Sequence, residues 1–214
     1  GDGTTVDRLS PVQITGLPPI VQIDGGSHSV ALAADGTVWV WGINDFGQLG
    51  LGTRDTNPHP IPTQVPGLTN VVAISANDGA TSVLKSDGTV WCWGGNSNGE
   101  LGDGTYTQRT SPVQAVGLSN VVSISHGGTH LLALLADGSV WSCGENDGHE
   151  LGNIPPSRAL PHQIPNFGPA YAVFTTNRAS YALTFGTGIG STQKGVRKTA
   201  LSLPPSPAVL RKGR

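Results

Sequence analysis

The residues of this chain that could do chemistry are few, and their spacing decides what each could do. Gly95-Asn96-Ser97-Asn98-Gly99 matches GxSxG, the pattern around a serine nucleophile. That nucleophile needs a strand, a sharp turn and then a helix. A strand-like run precedes Gly95, but Glu100-Leu101-Gly102-Asp103-Gly104 follows, and that is no helix. In Gly26-Ser27-His28-Ser29 a serine and a histidine are sequence neighbours, which does not align them for proton transfer. His126 and His149, with Asp147 and Glu150, are of the types that hold zinc or calcium, but their spacing matches no recognised ligand set. Cys92 and Cys143 stand alone, and no P-loop or GxGxxG occurs. No catalytic residue, metal site or cofactor is expected, and the chain reads as a protein that is not an enzyme.

These residues are positioned by a repeat. Asp35-Gly36-Thr37-Val38-Trp39-Val40-Trp41-Gly42 returns as Asp87-Gly88-Thr89-Val90-Trp91-Cys92-Trp93-Gly94 and as Asp137-Gly138-Ser139-Val140-Trp141-Ser142-Cys143-Gly144, at offsets of 52 and 50 residues. A turn dipeptide followed by an alternating aromatic and β-branched run reads as a turn and the third strand of a β-unit. In the third unit Val121–Ser125 predicts the first strand, His130–Leu135 the second, Ser139–Gly144 the third, and the stretch around Pro161–Ile164 a fourth. The fourth strands of earlier units fall at Pro62–Val65 and Pro112–Ala115, and Pro11–Ile14 is an equivalent outermost strand ahead of the first unit. Four short antiparallel strands in about 50 residues make one propeller blade.

Alternation sends Trp39 and Trp41, Trp91 and Trp93, and Trp141 to one face of each blade and the valines to the other. The tryptophans are thus expected in the core between blades. Cys92 and Cys143 lie one step apart in register on adjacent blades and read as two small buried hydrophobes rather than a disulfide. His28 and His130 occupy one repeat position, where Ala80 stands in the second unit, so they are expected to be structural and bonded to nearby backbone.

Composition agrees with many tight turns. The 214 residues include 31 glycines and 16 prolines, while only 12% are charged. Disorder would bring more charge and fewer aromatics. There is no run of 18 apolar residues that would span a membrane. The chain begins at Gly1, and the missing leader pattern decides nothing about compartment. All 14 acidic residues lie within 1–150, whereas 151–214 holds eight basic residues and no acidic one.

The pattern Gly25-Gly26-Ser27-His28, Ala31-Leu32, Asp35 to Gly42, Asn44 and Gly47-Gln48-Leu49-Gly50 resembles the repeat of the regulator of chromosome condensation family, in its bacterial-type form. The resemblance covers about residues 1–152 and implies a β-propeller, usually of seven blades. Here the units are about 1–48, 49–100 and 101–150, with 151–192 a degenerate fourth in which Gly186-Thr187-Gly188-Ile189-Gly190 replaces the DGTVW stretch. Residues 193–214 read as a basic, proline-containing disordered tail. Three clear blades and a partial fourth do not close a ring. The fold is therefore expected to be an all-β incomplete propeller: an open arc, a fragment of a longer propeller, or a ring completed by another chain.

Antiparallel order puts the turn between strands one and two on the same face as the loop after strand three, opposite the DGT turns. That face collects Asp24, Ser27, Asn77, Asp78, His126 and Thr129. It also collects Asn44, Asp45, Phe46, Asn96, Ser97, Asn98, Asn146, Asp147 and His149. Polar loops on a rigid scaffold are a common binding surface, so the chain is expected to be a non-catalytic scaffold binding a protein partner there. The alternative implied by the resemblance is exchange or regulation of nucleotide on a small GTPase. A third is binding of chromatin or another polyanion through the basic tail, the one place where nucleic acid could be held. The open blade faces also suggest further blades or self-association.

Overall fold

The structure is a computed structural model that describes residues 1–152, 157–165 and 168–184, and the backbone of 196–198. The first sheet is β1 (Ile20–Gly25), β2 (His28–Ala33), β3 (Val38–Asn44) and β4 (Asp55–Gln64). The second is β5 (Val71–Ala76), β6 (Ala80–Lys85), β7 (Val90–Gly94) and β8 (Arg109–Gln114). The third is β9 (Val121–His126), β10 (His130–Leu135), β11 (Val140–Gly144) and β12 (Arg158–Gln163). Each is an antiparallel meander with its strands in chain order, as expected of propeller blades. The second, third and fourth sequence units each begin with the outer strand of the preceding sheet.

The DGTVW stretch builds the turn and the joint between sheets together. Asp35 Oδ1 accepts the Thr37 N–H at 3.0 Å and its hydroxyl at 2.7 Å. The Thr37 hydroxyl oxygen in turn accepts the Trp39 Nε1–H at 3.2 Å. Asp87-Thr89-Trp91 repeats this chain of bonds, and Asp137-Ser139-Trp141 keeps its backbone and indole links. These bonds favour the ionised carboxylates and hold Asp35, Asp87 and Asp137 below the usual carboxylate range. The Gly36 carbonyl accepts the Val71 N–H at the start of the next sheet, and Gly88 and Gly138 do the same for Val121 and Ala170.

The sheets stack face to face. Val30, Val38, Val40 and Leu49 of the first pack with Ile74, Val83 and Trp93 of the second. Leu84, Val90, Cys92 and Leu101 of the second pack with Leu131, Ala133 and Cys143 of the third. The valine face of each blade thus meets the tryptophan face of the next, as the alternation predicts. The cysteines are buried and free, and burial pushes the Cys92 thiol up to about 12.

Three expectations need correction. Trp39 and Trp41 do not lie between blades: no described sheet precedes the first, so they are only half-buried on its outer face. Pro11–Ile14 forms no strand, because no third strand of a preceding blade stands beside it to accept its hydrogen bonds. The fourth sheet is more complete than the lost motif suggests. β13 (Ala170–Thr176) and β14 (Ala179–Thr184) pair antiparallel where the first two strands are expected. The third place is taken by β15 (Val196–Lys198), which runs parallel to β14. That short strand falls at the start of the stretch expected to be a disordered tail; the rest of the tail, 193–195 and 199–214, lies outside the described residues, as do Gly186–Gly190. No described sheet covers the outer face of the first or the fourth, so the arc is open.

Candidate functional site

The ends of the first strands, at the inner edge of the arc, are tied by a ladder repeated three times. Asp24 Oδ2 accepts the Ala76 N–H at 3.0 Å, Ser75 Oγ the His126 N–H at 2.9 Å, and Ser125 Oγ the Thr175 N–H at 2.9 Å. Just above it, the Ser27 hydroxyl donates to the Asp78 carbonyl at 2.5 Å, and Asn77 Nδ2 donates to the Gly127 carbonyl at 2.5 Å. The inner turns of all four sheets therefore form one surface. A polar groove of about 310 Å³ runs across it, lined by residues of each sheet including Gly26, Asp78, Gly127 and Asn177.

The second set of loops follows the third strands. Asn44, Asn96 and Asn146 are buried here, although all three are expected on the binding surface. Their Oδ1 atoms accept the N–H of Leu49, Leu101 and Leu151 at 3.2, 3.0 and 2.9 Å. Asn96 Nδ2 also donates to the carbonyls of Thr105 and Thr107, both at 3.0 Å. Asparagine suits this place because one planar amide both accepts from and donates to the backbone. These residues fix the loop and are not free to meet a partner. Asn96→Ala would leave a buried N–H and two carbonyls without this partner and should cost about 2–3 kcal/mol by urea unfolding; a cost near zero would refute this bracing.

Gln48, Glu100 and Glu150 hold a second repeated position that the sequence reading passed over, recurring at the same offsets of 52 and 50. All three are buried. Each side chain accepts a loop N–H, from Phe46, Asn98 and Gly148, at 2.9, 2.8 and 2.9 Å. Burial raises the Glu100 carboxyl above the usual range.

Of the other expected contacts, His126 is buried with its Nδ1 2.6 Å from Ser82 Oγ, so it is a joint between the second and third sheets rather than a surface group. It does not share a site with His149, which is exposed with Asp147. Thr129 is half-buried and donates its hydroxyl to Glu145, Asn98 is half-buried, and Asn77 is buried in the inter-sheet link above. His28 and His130 are buried, and the backbone bonds expected of them are not found among the described residues. His28 Nε2 lies 2.7 Å from the Thr81 hydroxyl of the next sheet. Because that hydroxyl donates to the Gln48 carbonyl at 2.9 Å, Nε2 must be the donor. Neither ring nitrogen of His130 has a partner among the described residues. Ser97 is exposed in a loop, and no helix follows Gly99. What remains presented is Asp45, Phe46, Asp78, Ser97, Asp147 and His149, with Asp24 and Ser27 half-buried beside them. Among the described residues no cluster of His, Cys, Asp and Glu could hold a metal ion.

The chain is 35% identical over 112 residues to the ultraviolet-B receptor UVR8 of Arabidopsis thaliana, which covers 51% of this chain and 26% of the receptor. The yeast RCC1 (Prp20) structure with bound Kap60 is 27% identical with a TM-score of 0.69, covering 80% of this chain and 43% of that one. Human WBSCR16 shares the fold at 24% identity and a TM-score of 0.71, covering 82% of this chain and 48% of that one. The chain thus spans about a quarter of the receptor and under half of each solved propeller. The model of the regulator of chromosome condensation (RCC1) repeat matches residues 35–84 and 87–134, and a second model of the same description matches 71–100 and 121–149. With the repeat, its turn chemistry and its sheet stacking in agreement, the chain belongs to the regulator of chromosome condensation (RCC1) repeat family.

Proposed function

We propose that this chain is a non-catalytic scaffold that receives a protein partner on its loop face. The observation that carries the proposal is Phe46. It is 43% exposed, yet its loop is fixed: its N–H is held by Gln48 Oε1 and Asn44 braces the turn below. An aromatic on a rigid loop offers contact area with little entropy left to lose on binding. Asp45 adjoins it in the chain and Asp78 lies against the same loop, and on this face the exposed Asp45, Asp78 and Asp147 outnumber the exposed Arg54 and Arg178, so the partner's complementary surface is basic. The solved structure of yeast RCC1 (Prp20) is a complex with a protein, Kap60, which supports a protein partner for a chain of this fold.

The test begins with a partner identified by cross-linking in the native source and then purified. Phe46→Ala should weaken its binding at least ~10-fold, and Asp78→Lys should weaken it and reduce its salt dependence. Ser86→Ala, on the opposite face, should change nothing. Binding lost with the Ser86 variant but kept with the other two would place the contact on the wrong face and end the proposal.

A further inference from the structure

We infer that Asp78, the polar groove beside it and the ring of Phe46 form a seat for an arginine side chain of the partner. The inference rests on the loop face being the binding surface, and it names the group that this face receives. All the residues of the seat belong to inner turns and loops of the described sheets, and none lies on the outer face of the first or the fourth. Asp78 differs from the carboxylates around it. Asp24 accepts the N–H of Gly25 and of Ala76 at 2.9 and 3.0 Å, and Asp35, Asp87 and Asp137 are taken up by their own turns. The Asp78 carboxylate is exposed and accepts no hydrogen bond among the described residues. Its backbone is nevertheless fixed, because its carbonyl accepts the Ser27 hydroxyl at 2.5 Å and the Gln48 side-chain amide at 3.4 Å. A Cβ on Gly26 would come 2.6 Å from Asp78 Oδ1. The carboxylate therefore leans over the first inner turn, at the groove of about 310 Å³, and glycine leaves it room there.

The groove and the ring define what this carboxylate would hold. The N–H groups of Gly26, Asn77 and Gly127, all in the groove lining, already donate within their own turns to the carbonyls of His28, Ala80 and His130. The groove is thereby short of donors and holds an unpaired carboxylate, which calls for a donor-rich cation. At its other end the lining residue Asn177 is followed by the exposed Arg178, which places the cation at the Asp78 end. Phe46 Cδ2 lies 3.6 Å from the position of a Cβ on Gly79, the residue after Asp78. Ring and carboxylate are thus neighbours at one fixed turn. A guanidinium matches both, since its plane stacks on an aromatic face and its edge donates two parallel bonds to a carboxylate. A lysine ammonium is a more strongly hydrated point charge that offers neither the plane nor the fork.

The seat is tested without the partner, by titrating the peptide acetyl-Gly-Arg-Gly-amide into the isotope-labelled full chain and following backbone amide shifts by NMR. Saturable shifts are expected at Gly26, Asp78 and Gly127. The lysine peptide should bind at least ~3-fold more weakly, and the peptide of citrulline, the uncharged isostere of arginine, at least ~10-fold more weakly. Asp78→Asn should weaken the arginine peptide at least ~10-fold and Phe46→Leu about 3-fold, with the rest of each spectrum unchanged. Asp147→Asn removes another exposed carboxylate of this face and should change nothing. Lysine or citrulline peptides that bind as well as arginine would overturn the seat, and so would an equal loss in the Asp147 and Asp78 variants, which would show a diffuse acidic field instead. A peptide that fails to bind, while the purified partner still depends on Phe46, would remove the seat and leave the loop-face reading. A peptide that binds as expected, while the partner ignores Phe46→Ala, would keep the seat and remove that reading.

Discussion

Lowering the pH from about 7.5 to about 5 is expected to remove on the order of 5 kcal/mol from the stability of this fold, most of it through three buried histidines. Burial lowers His28 to about 4, His126 to about 3 and His130 to about 4 from an ordinary value of 6.5. His126 is pushed further by His130 and His28 nearby, while Asp78 works against the shift at His28. Each ring is neutral in the folded chain and binds a proton once the chain unfolds. Stability is therefore full above about pH 6.5 and falls as the pH drops toward 4, where the folded rings begin to accept protons as well. At pH 5 one such group accounts for about 2 kcal/mol. Glu100 acts in the opposite sense, since its raised carboxyl takes up a proton in the folded state first. The bonded carboxylates of Asp35, Asp87 and Asp137 add an acid loss only at lower pH, below their ordinary value of 3.8. Urea unfolding at a series of pH values should show uptake of two to three protons per unfolding event near pH 5, and almost none near pH 8. His130→Leu should remove about one proton from that uptake. A stability that does not change between pH 7.5 and 5 would mean these rings are not buried as neutral groups.

The position of these histidines also shows what the sequence could and could not say. The turns, the third strands and the stacking of valine on tryptophan faces were legible because they repeat and because their bonds are local. Asp35, Thr37 and Trp39 lie within five residues of one another. The partner of His28 was not legible, because the Thr81 hydroxyl lies 53 residues away on another sheet. In the loops, asparagine serves both as a turn residue and as a surface group, so its type alone did not separate the two roles. Recurrence could have done so. Asn44, Asn96 and Asn146 are the same residue at one position in three repeats, and all three are buried braces. The next two positions read Asp-Phe, Ser-Asn and Asp-Gly, and that is where most of the exposed side chains stand. The failure of Pro11–Ile14 as a strand has a different cause: its pattern is that of a strand, but the pattern does not supply the neighbour that a strand requires.

The same dependence on a neighbour predicts that one repeat position will respond to mutation in two different ways. Trp93→Ala should cost about 3–5 kcal/mol, the range for emptying a large buried aromatic site. Trp41→Ala should cost well under half of that, because its ring is already partly exposed and its N–H holds no carbonyl among the described residues. Trp93 sits directly over Gly50, whose φ is +66°. A Cβ on Gly50 would come 2.7 Å from Trp93 Nε1, closer than any relaxed packing allows. Gly50→Ala is thus burdened twice, by a left-handed backbone that costs about 1–2 kcal/mol for an L-residue and by collision with the indole. Only the collision depends on the tryptophan. In a double-mutant cycle the Gly50→Ala and Trp93→Ala costs should sum to about 1–2 kcal/mol more than the double variant loses, because the cavity left by the indole accepts the new methyl group. Strict additivity in denaturant unfolding would show that the glycine is required by its backbone alone. The third repeat offers the natural contrast: Cys143 replaces the tryptophan there, and its Sγ would lie 3.1 Å from a Cβ on Gly102. Glycine persists at that position beside a much smaller side chain because its φ of +69° and the adjoining Pro161 still require it. Gly102→Ala should therefore remain destabilising, with a coupling to Cys143 weaker than that between Gly50 and Trp93.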